Sequence, residues 1–377
     1  MARDVIEREL TGTRPGRIAF ALAGEGDDAD IRRLLQENPM PGNISLSLER
    51  EPDYFADAYL PGETKQTIVA HAAGRVVCTG SCTIRRRFVN GEPCQVGYLG
   101  GLRLDAGQAG RFDILRRGYE FFHELQASEP ADFYFTSIAA DNERARTLLE
   151  RGLPGMPRYE FIGEFVTVLL STDRRHAVSK PDASPVPPME QVIELLNNHN
   201  CQQQFAPCWS EDELGALQML GLRVGDFQFI RDAGHIVAGA VLWDQRKFKQ
   251  TLIRGYAKPL ARARPLLNLV ARFTDGARLP AIGETLANAF ITQLAVDPDK
   301  PDSLTGLVKD LRGAAARRGI ELITLGFAAN DPRLAVVQKK FRGREYRSRL
   351  YSVRWPDCGG AAAELDGRIL APEVAWL

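Results

Sequence analysis

An internal repeat constrains this chain more strongly than any other feature. Three short segments recur in the same order after 160, 192 and 189 residues. The matching pairs are Ala73–Val77 with Ala233–Val237, Leu102–Asp105 with Leu294–Asp297, and Ala139–Asn142 with Ala328–Asp331. Repeated supersecondary units keep their order along a chain, so ordered matches at similar offsets indicate a duplicated domain.

The same order of elements is predicted for both copies: strand, loop, amphipathic helix, strand, turn, helix and strand. Apolar residues recur at three- and four-residue spacing over 112–125 and again over 304–315, which predicts one helix with a buried face in each copy. The offset grows from 160 to about 190, which indicates about 30 extra residues in the second copy, between Pro259 and Asn288. We therefore expect an α/β chain with a mixed sheet in each half.

Prolines mark the joint between the copies. Pro181, Pro185, Pro187 and Pro188 lie together among polar residues, a composition typical of a semi-rigid linker. The sequence thus predicts a first domain over 14–172, a linker over 173–188, a second domain over 189–356 and a tail over 357–377.

Composition narrows the range of functions. Lys and Arg number 48, as do Asp and Glu, so the 377-residue chain has zero formal net charge and no field that would attract nucleic acid. No apolar stretch approaches 18 residues, so membrane insertion is not expected. The first ten residues lack the apolar core of a signal peptide, and the six cysteines form no CxxC pair. We expect a cytoplasmic protein with reduced thiols.

The order of elements in each half resembles the core of the GNAT superfamily, the acyl-CoA-dependent N-acyltransferases. The resemblance extends from about Arg17 to Trp355 and implies two GNAT-like domains in tandem. It further implies acetyl-CoA as the co-substrate, a small-molecule or peptide amine as the acceptor, and no metal. In this family the end of a central strand splays from its neighbour and admits the pantetheine arm of CoA.

The loop after that strand carries the family's phosphate motif, V-x-P-x-x-R-G-x-G-x-G, which wraps the pyrophosphate at a helix N-terminus. In the first copy Gly110 and Arg111 fall in matching positions, whereas Ala109, Phe112 and Ile114 depart from the motif. The resemblance implies an acyl-CoA contact set of Leu102, Arg103, Leu104, Gln108, Ala109, Gly110, Arg111, Phe112 and Asn142.

The corresponding loop of the second copy is poorly suited to phosphate. It keeps the V-x-P opening but places Asp297, Asp299 and Asp302 where the pyrophosphate would lie. Pro298 and Pro301 also remove main-chain N–H donors. We therefore expect the first copy to bind acyl-CoA and the second to be a degenerate structural partner.

Amine acylation needs a donor for the oxyanion and a group that accepts the amine proton. The segment Gly100–Leu102 is a place where a strand can bulge and present a main-chain N–H. Two-residue alternation places Tyr98 on one face with Gly100, Leu102 and Leu104, which makes Tyr98 a candidate base in competition with His71 and His123. We expect His123 to face solvent.

Two further positions follow from the family resemblance. Asn142 matches the asparagine that opens a helix near the thioester. Leu149 stands where the family often has a tyrosine that protonates the leaving thiolate.

Two other patterns have simpler interpretations. His199, Cys201 and Cys208 lack a fourth ligand at a recognised spacing, so no metal is expected. The run Arg85–Arg87 is typical of solvated charge on an edge strand.

Three functions remain open at this point. The first is an acetyl-CoA-dependent N-acetyltransferase that uses Tyr98 and Asn142, and the second is a non-catalytic acyl-CoA or metabolite-binding protein with the same fold. The third, an aminoacyl-tRNA-dependent transferase with a doubled fold, conflicts with the neutral net charge. Neither the acceptor nor the oligomeric state follows from the sequence.

Overall fold

The computed structural model of the chain describes residues 18–40, 42–173, 187–271, 278–355 and 364–377, and most of the expected linker lies outside them. The helices of this described part are α1 (Asp28–Glu37), α2 (Phe112–Gln126), α3 (Glu143–Glu150), α4 (Met189–Asn200), α5 (Glu211–Ala216), α6 (Lys258–Ala271), α7 (Ser303–Arg317) and α8 (Pro332–Lys340). The strands of the first half are β1 (Ala19–Leu22), β2 (Ile44–Glu49), β3 (Glu63–Ala72), β4 (Arg75–Val89), β5 (Glu92–Leu104), β6 (Phe133–Ala139) and β7 (Arg158–Ser171). Those of the second half are β8 (Gln203–Gln204), β9 (Phe227–Asp232), β10 (His235–Trp243), β11 (Gln250–Tyr256), β12 (Asn288–Val296), β13 (Leu322–Ala328), β14 (Gly343–Arg354) and β15 (Ile369–Leu370).

Eleven of these strands form one mixed sheet that runs through both halves. Its order is β1-β3-β4-β5-β6-β14-β7-β13-β12-β10-β9. The strands β3, β4, β5, β6 and β7 of the first copy correspond to β9, β10, β12, β13 and β14 of the second. When each strand is replaced by its counterpart, the order from β3 to β9 is reversed but otherwise unchanged. The expected duplication is therefore present in the topology, about an axis between β14 and β7.

The final strand of each copy has crossed into the other half. β14 is antiparallel to β6 of the first copy, and β7 is antiparallel to β13 of the second. The two exchanged strands also pair with each other along most of their length, from Gly343↔Leu170 to Arg354↔Arg158. The predicted domain boundaries divide the chain into two consecutive halves. The sheet is not divided in this way, because each half contains a strand that belongs to the other half's sequence.

The second copy carries an insertion that begins earlier than the sequence predicts. In the first copy β4 and β5 are joined by the tight turn Asn90–Gly91, whereas β11 and α6 lie between β10 and β12. The extra segment thus begins at about Gln250 rather than at Pro259. β11 pairs with β2 of the first copy, a tertiary contact that offsets between repeats do not reveal.

The second predicted amphipathic helix buries its expected stripe, whereas the first leaves the expected Phe112 52% exposed and buries Ile114 instead. α2 buries Ile114, Leu115 and Phe122, and α7 buries Leu304, Leu307 and Leu311. These side chains pack on the sheet, so α2 and the loop before it are fixed against β4 and β5. This packing positions the candidate phosphate loop at the end of the central strand.

Candidate functional site

The central strand of the first copy diverges from its parallel neighbour, as the family resemblance implies. β5 and β6 pair from Val96↔Phe133 to Leu99↔Thr136, and both strands then continue unpaired with each other. The Thr136 hydroxyl donates to the carbonyl of Leu99 across 2.7 Å at the point of divergence. A cleft therefore opens between the last residues of β5 and those of β6.

A bulge lies at the mouth of this cleft, where the glycine pair predicts it. Opposite Gly80 the central strand has two residues, Gly101 and Leu102, and Gly101 has φ +66°. Only glycine adopts this left-handed conformation without a steric penalty. Gly101 is exposed, and Leu102 is 39% exposed, so the main chain at the bulge is accessible to a ligand.

The bulge also corrects one sequence prediction. Register shifts by one residue between Ser81↔Gly100 and Thr79↔Arg103. Arg103 therefore shares the face of Tyr98, whereas Leu104 pairs with Cys78 and packs with the α2 side of the sheet. The expected face of Tyr98 with Leu102 and Leu104 is wrong, because an inserted residue inverts a two-residue alternation.

The predicted phosphate loop leads directly into α2. Gly110 has φ +89°, and a Cβ added at this position would meet no atom within 4 Å. Arg111 precedes the first residue of α2, and its guanidinium forms a two-pronged ion pair with Asp113 at 2.7 and 2.8 Å. Gln108 and Ala109 lie in the preceding turn, and Phe112 at the start of α2 is 52% exposed. The loop thus presents open main chain at a helix N-terminus, with the Arg111 guanidinium beside it in its ion pair with Asp113.

Asn142 lies at the end of the neighbouring strand, where it starts α3. Its side-chain oxygen accepts the main-chain N–H of Ala145 at 3.1 Å, so it is the N-cap of that helix. Leu149 stands where the family often has a tyrosine that acts as general acid, and it is buried in an apolar cluster with Ile138 and Tyr351. No hydroxyl is therefore available at that position.

Tyr98 lies beside the bulge on the face opposite α2. Its ring contacts Gly100 and packs on Phe135 at 5.1 Å between centroids. Burial raises the pKa of Tyr98 to about 12, although the Arg87 and Arg103 guanidinium groups act in the opposite direction. The phenol is therefore protonated at neutral pH and is suited to donating a hydrogen bond.

The equivalent bulge of the second copy is covered by the C-terminal segment. β12 and β13 diverge after Phe290↔Thr324, and Gln293 adopts φ +55° at the bulge. The Gln293 main-chain N–H donates to Glu373 at 2.9 Å, and its side-chain oxygen accepts from Trp209 at 2.7 Å. Gln293 is 2% exposed. The main-chain N–H of Gln293 is therefore already hydrogen-bonded within the chain.

Close packing holds this C-terminal segment in place. A Cβ on Gly326 of β13 would lie 2.6 Å from Val374, so only glycine lets the segment approach so closely. Ile369 and Leu370 extend the contact by pairing with Gln203 and Gln204.

Charged side chains are buried where the two halves meet. Asp57 bonds with Arg50 at 2.5 Å and with Lys65, and Glu63 pairs with Arg85 at 2.5 Å. The predicted solvation of Arg85–Arg87 on an edge strand is wrong, because β4 lies between β3 and β5 and Arg87 is 2% exposed. A run of three arginines does not by itself distinguish an edge strand from an interior one.

The two histidines considered as bases, and the one considered as a metal ligand, have other partners. His71 bonds with Asp27 at 2.9 Å, and His123 stacks on Trp355 at 5.3 Å between ring centroids rather than facing solvent. His199 bonds with Gln203 and Arg333, and burial lowers its pKa to about 4. No cluster of three metal-ligating side chains occurs within the described ranges, and none of their helices combines the length and hydropathy that a membrane crossing requires.

Comparison with known proteins gives matches in structure but not in sequence. No protein-family model matches the chain, and neither does any curated protein. The N-myristoyltransferase of Saccharomyces cerevisiae, solved with bound myristoyl-CoA and inhibitors, is 11% identical, with a TM-score of 0.59 over 95% of this chain and 87% of that one. A GCN5-related N-acetyltransferase from Sphaerobacter thermophilus is 15% identical, with a TM-score of 0.52 over 90% of this chain and 96% of that one. The chain has a tandem GNAT fold.

The expected GNAT fold is thus confirmed, and with it the mixed-sheet architecture. The GNAT fold places the cleft, the bulge and the loop of the first copy together at the end of β5. What sequence reasoning missed is the occupant of the second cleft, because Glu373 lies 80 residues beyond Gln293 and in no recognised motif. The feature of the sequence that indicated a difference between the two clefts was the polar Gln293, which stands where the first copy has Gly101.

Proposed function

We propose that the protein is an acyl-CoA-dependent N-acyltransferase whose first copy binds acetyl-CoA and transfers the acetyl group to an amine. The observation that carries the proposal is the exposed bulge at Gly101, at the mouth of a cleft that leads to the N-terminus of α2. The folds of an N-acetyltransferase and of an N-myristoyltransferase solved with an acyl-CoA support the same class of reaction.

In this proposal the pantetheine arm enters between β5 and β6 and contacts Leu102, Arg103 and Leu104. The pyrophosphate lies at Gln108–Phe112, where the dipole of α2 and the Arg111 cation favour negative charge. The thioester carbonyl then lies at the bulge, where a main-chain N–H stabilises the tetrahedral oxyanion. The amine nitrogen forms the new C–N bond, the C–S bond breaks, and the CoA thiolate leaves. The proton that the amine loses balances the one that the thiolate takes up, so the products are an amide and free CoA thiol.

Tyr98 and Asn142 are the proposed side-chain participants. In this proposal the protonated Tyr98 hydroxyl donates to the leaving sulfur or to the oxyanion, and its raised pKa argues against the role of base. Asn142 fixes the start of α3 beside the cleft and is the proposed contact near the thioester. The Tyr98–Phe135 ring pair occupies the space next to the bulge, which favours a short acyl group such as acetyl.

A specific observation also favours the second candidate, a non-catalytic acyl-CoA-binding protein. Leu149 is buried in apolar surroundings, and the phosphate loop lacks two glycines of the motif. A chain that has lost its general acid would still bind the thioester.

Turnover and binding measured on the same full-length chain separate these candidates. Acetyl-CoA affinity is measured by calorimetry, and free CoA thiol release is measured with a panel of amines and peptides. The enzyme is supported if at least one class of amine stimulates thiol release. Tight binding with no stimulation across the panel supports the non-catalytic candidate, and the absence of binding contradicts both.

A further inference from the structure

A second pocket lies where the two halves meet, on β4 rather than at the bulge. It encloses about 410 Å³ of space outside the atoms, part of it open to solvent. Its walls come from both copies and from the C-terminal segment: Leu60–Glu63, Arg85–Arg87, Pro207–Trp209, Glu213, Leu217 and Trp376. We call it the arginine pocket.

Three residues in the wall of the arginine pocket carry buried donors without a partner. Arg86 Nε, Arg87 Nε and Trp376 Nε1 are buried and have no hydrogen-bond partner in the described part of the chain. One acceptor, Glu63 Oε1, is also unpaired. Buried N–H groups are normally paired, so three unpaired donors around one pocket indicate a ligand or ordered water.

The charges of the pocket favour an anion over water. Arg85 pairs with Glu63 at 2.5 Å and Arg86 with Glu213 at 3.0 Å, whereas Arg87 has no carboxylate within ion-pair distance among the described residues. Arg87 Nη1 donates to the main-chain oxygen of Phe205 at 2.7 Å. The three guanidinium groups of the pocket thus have two carboxylates within ion-pair distance among the described residues.

The Glu373 carboxylate also acts on the Arg87 charge, but from outside ion-pair distance. It accepts the main-chain N–H of Gln293, and burial raises its pKa. Burial also lowers the pKa of Arg87 to about 9, which leaves its guanidinium charged at neutral pH. Water would satisfy the N–H groups, whereas an anion would also form the short-range ion pair that Arg87 lacks.

The position of the pocket relates it to the bulge. Arg85 and Arg87 lie on the same face of the sheet as Tyr98, four and six residues along β4 from Ser81, which faces the bulge. At about 3.3 Å per strand residue, the pocket lies roughly 13–20 Å from the proposed thioester site. A peptide of four to six extended residues spans this distance.

From this geometry we propose that the arginine pocket binds a carboxylate of the acceptor, and that the acceptor is an extended, peptide-like amine. This inference rests on the proposed function for the acceptor's role, but not for the binding of the carboxylate. The acceptor would place its amine at the bulge and its carboxylate against Arg87 and the Trp376 N–H.

Equilibrium binding of two matched peptides tests the pocket on the full chain. The probes are penta-alanine with a free C-terminal carboxylate and the same peptide as an amide, and the fluorescence of Trp209 and Trp376 in the pocket wall is the readout. We expect the carboxylate to bind about ten- to a hundred-fold more tightly, the range for charge-assisted hydrogen bonds. Equal binding, or no binding of either peptide, would overturn the proposal.

Variants locate the effect. Arg87→Gln should remove the preference for the carboxylate, and Arg87→Lys should keep part of it. Trp376→Phe keeps an aromatic side chain but has no N–H, so it should weaken the preference. Lys309→Gln on the exposed face of α7 is the matched control and should change nothing. A preference that survives in all three pocket variants would contradict the assignment, and so would one that also falls in the control.

Acetyl-CoA affinity, measured on the same variants, distinguishes the two proposals. We expect it to be unchanged, because the phosphate loop and the arginine pocket share no residue. Carboxylate binding without acetyl-CoA binding would leave the pocket standing and the acyltransferase proposal contradicted. The converse result would contradict the pocket alone.

Discussion

The main-chain N–H of Gln293 donates to a side-chain oxygen of Glu373 across 2.9 Å. Gln293 holds in the second copy the bulge position that Gly101 holds in the first, where the main chain is exposed. The duplicated bulges therefore differ in the one property that a thioester would use, an exposed main chain. This difference, more than the acidic loop, supports a division of labour between the copies.

Gly110→Asp should abolish acetyl-CoA binding, because it places bulk and negative charge where the phosphate approaches. Gly234→Asp is the matched control: Gly234 has φ +87° and equally open surroundings, but it lies in a hairpin turn of the second copy. Both variants carry the same backbone strain, so calorimetry should show binding lost only in Gly110→Asp. Unchanged affinity in folded Gly110→Asp would remove the loop from the site.

Tyr98→Phe should lower kcat by about ten- to a hundred-fold while the acetyl-CoA affinity stays the same, because the ring keeps its packing on Phe135 and only the donor is lost. Tyr59→Phe, at an 80% exposed position, serves as the control. With a pKa of about 12, Tyr98 should also add no inflection to the pH–rate profile between pH 6 and 9. Full activity in Tyr98→Phe would exclude the hydroxyl from the reaction.

Asn142→Ala should lower the free energy of unfolding by about 1 kcal/mol, since α3 loses its N-cap acceptor. Asn142→Asp keeps an oxygen at that position and should retain most of the stability. The amide donor is absent from both variants, so kcat/KM should fall in both if Asn142 contacts the thioester end. Chemical denaturation and steady-state kinetics on the pair separate capping from catalysis, and wild-type kinetics in both would limit Asn142 to capping.

Asp57→Asn should destabilise the fold by about 3–5 kcal/mol at pH 7, because the buried cations Arg50 and Lys65 lose their shared carboxylate. Burial alone would raise the pKa of Asp57, but these two cations hold it well below its usual value of 3.8. Its contribution is therefore present above about pH 4 and is lost as the pH falls further. Urea unfolding should show the gap between wild type and variant narrowing in acid, and a gap that is constant with pH would contradict this assignment.

Local features of the fold were readable from the sequence. The two amphipathic helices, the Gly101 bulge and the turn before Asn142 depend on residues near one another in the chain, and the repeat gives a second example of the helix and turn patterns. The resemblance to the GNAT superfamily then predicted how these elements are arranged in the fold.

Features that depend on distant contacts were not readable. The exchange of β7 and β14 involves strands about 190 residues apart and leaves no trace in local periodicity. The burial of Arg87 and the capping of Gln293 by Glu373 depend on which segments cover them, a property of the assembled sheet. For the same reason the bulge was predicted, but its effect on the faces of Tyr98 and Leu104 was not.

The most direct test of the account is the stoichiometry of acetyl-CoA binding to the full-length chain, measured by isothermal titration calorimetry. One site per chain is predicted, because only the first copy combines an exposed bulge with an open phosphate loop, and Gly110→Asp should reduce that value to zero. Two equivalent sites per chain, or one site that survives in Gly110→Asp, would show that the second copy binds the thioester and would contradict the division of labour.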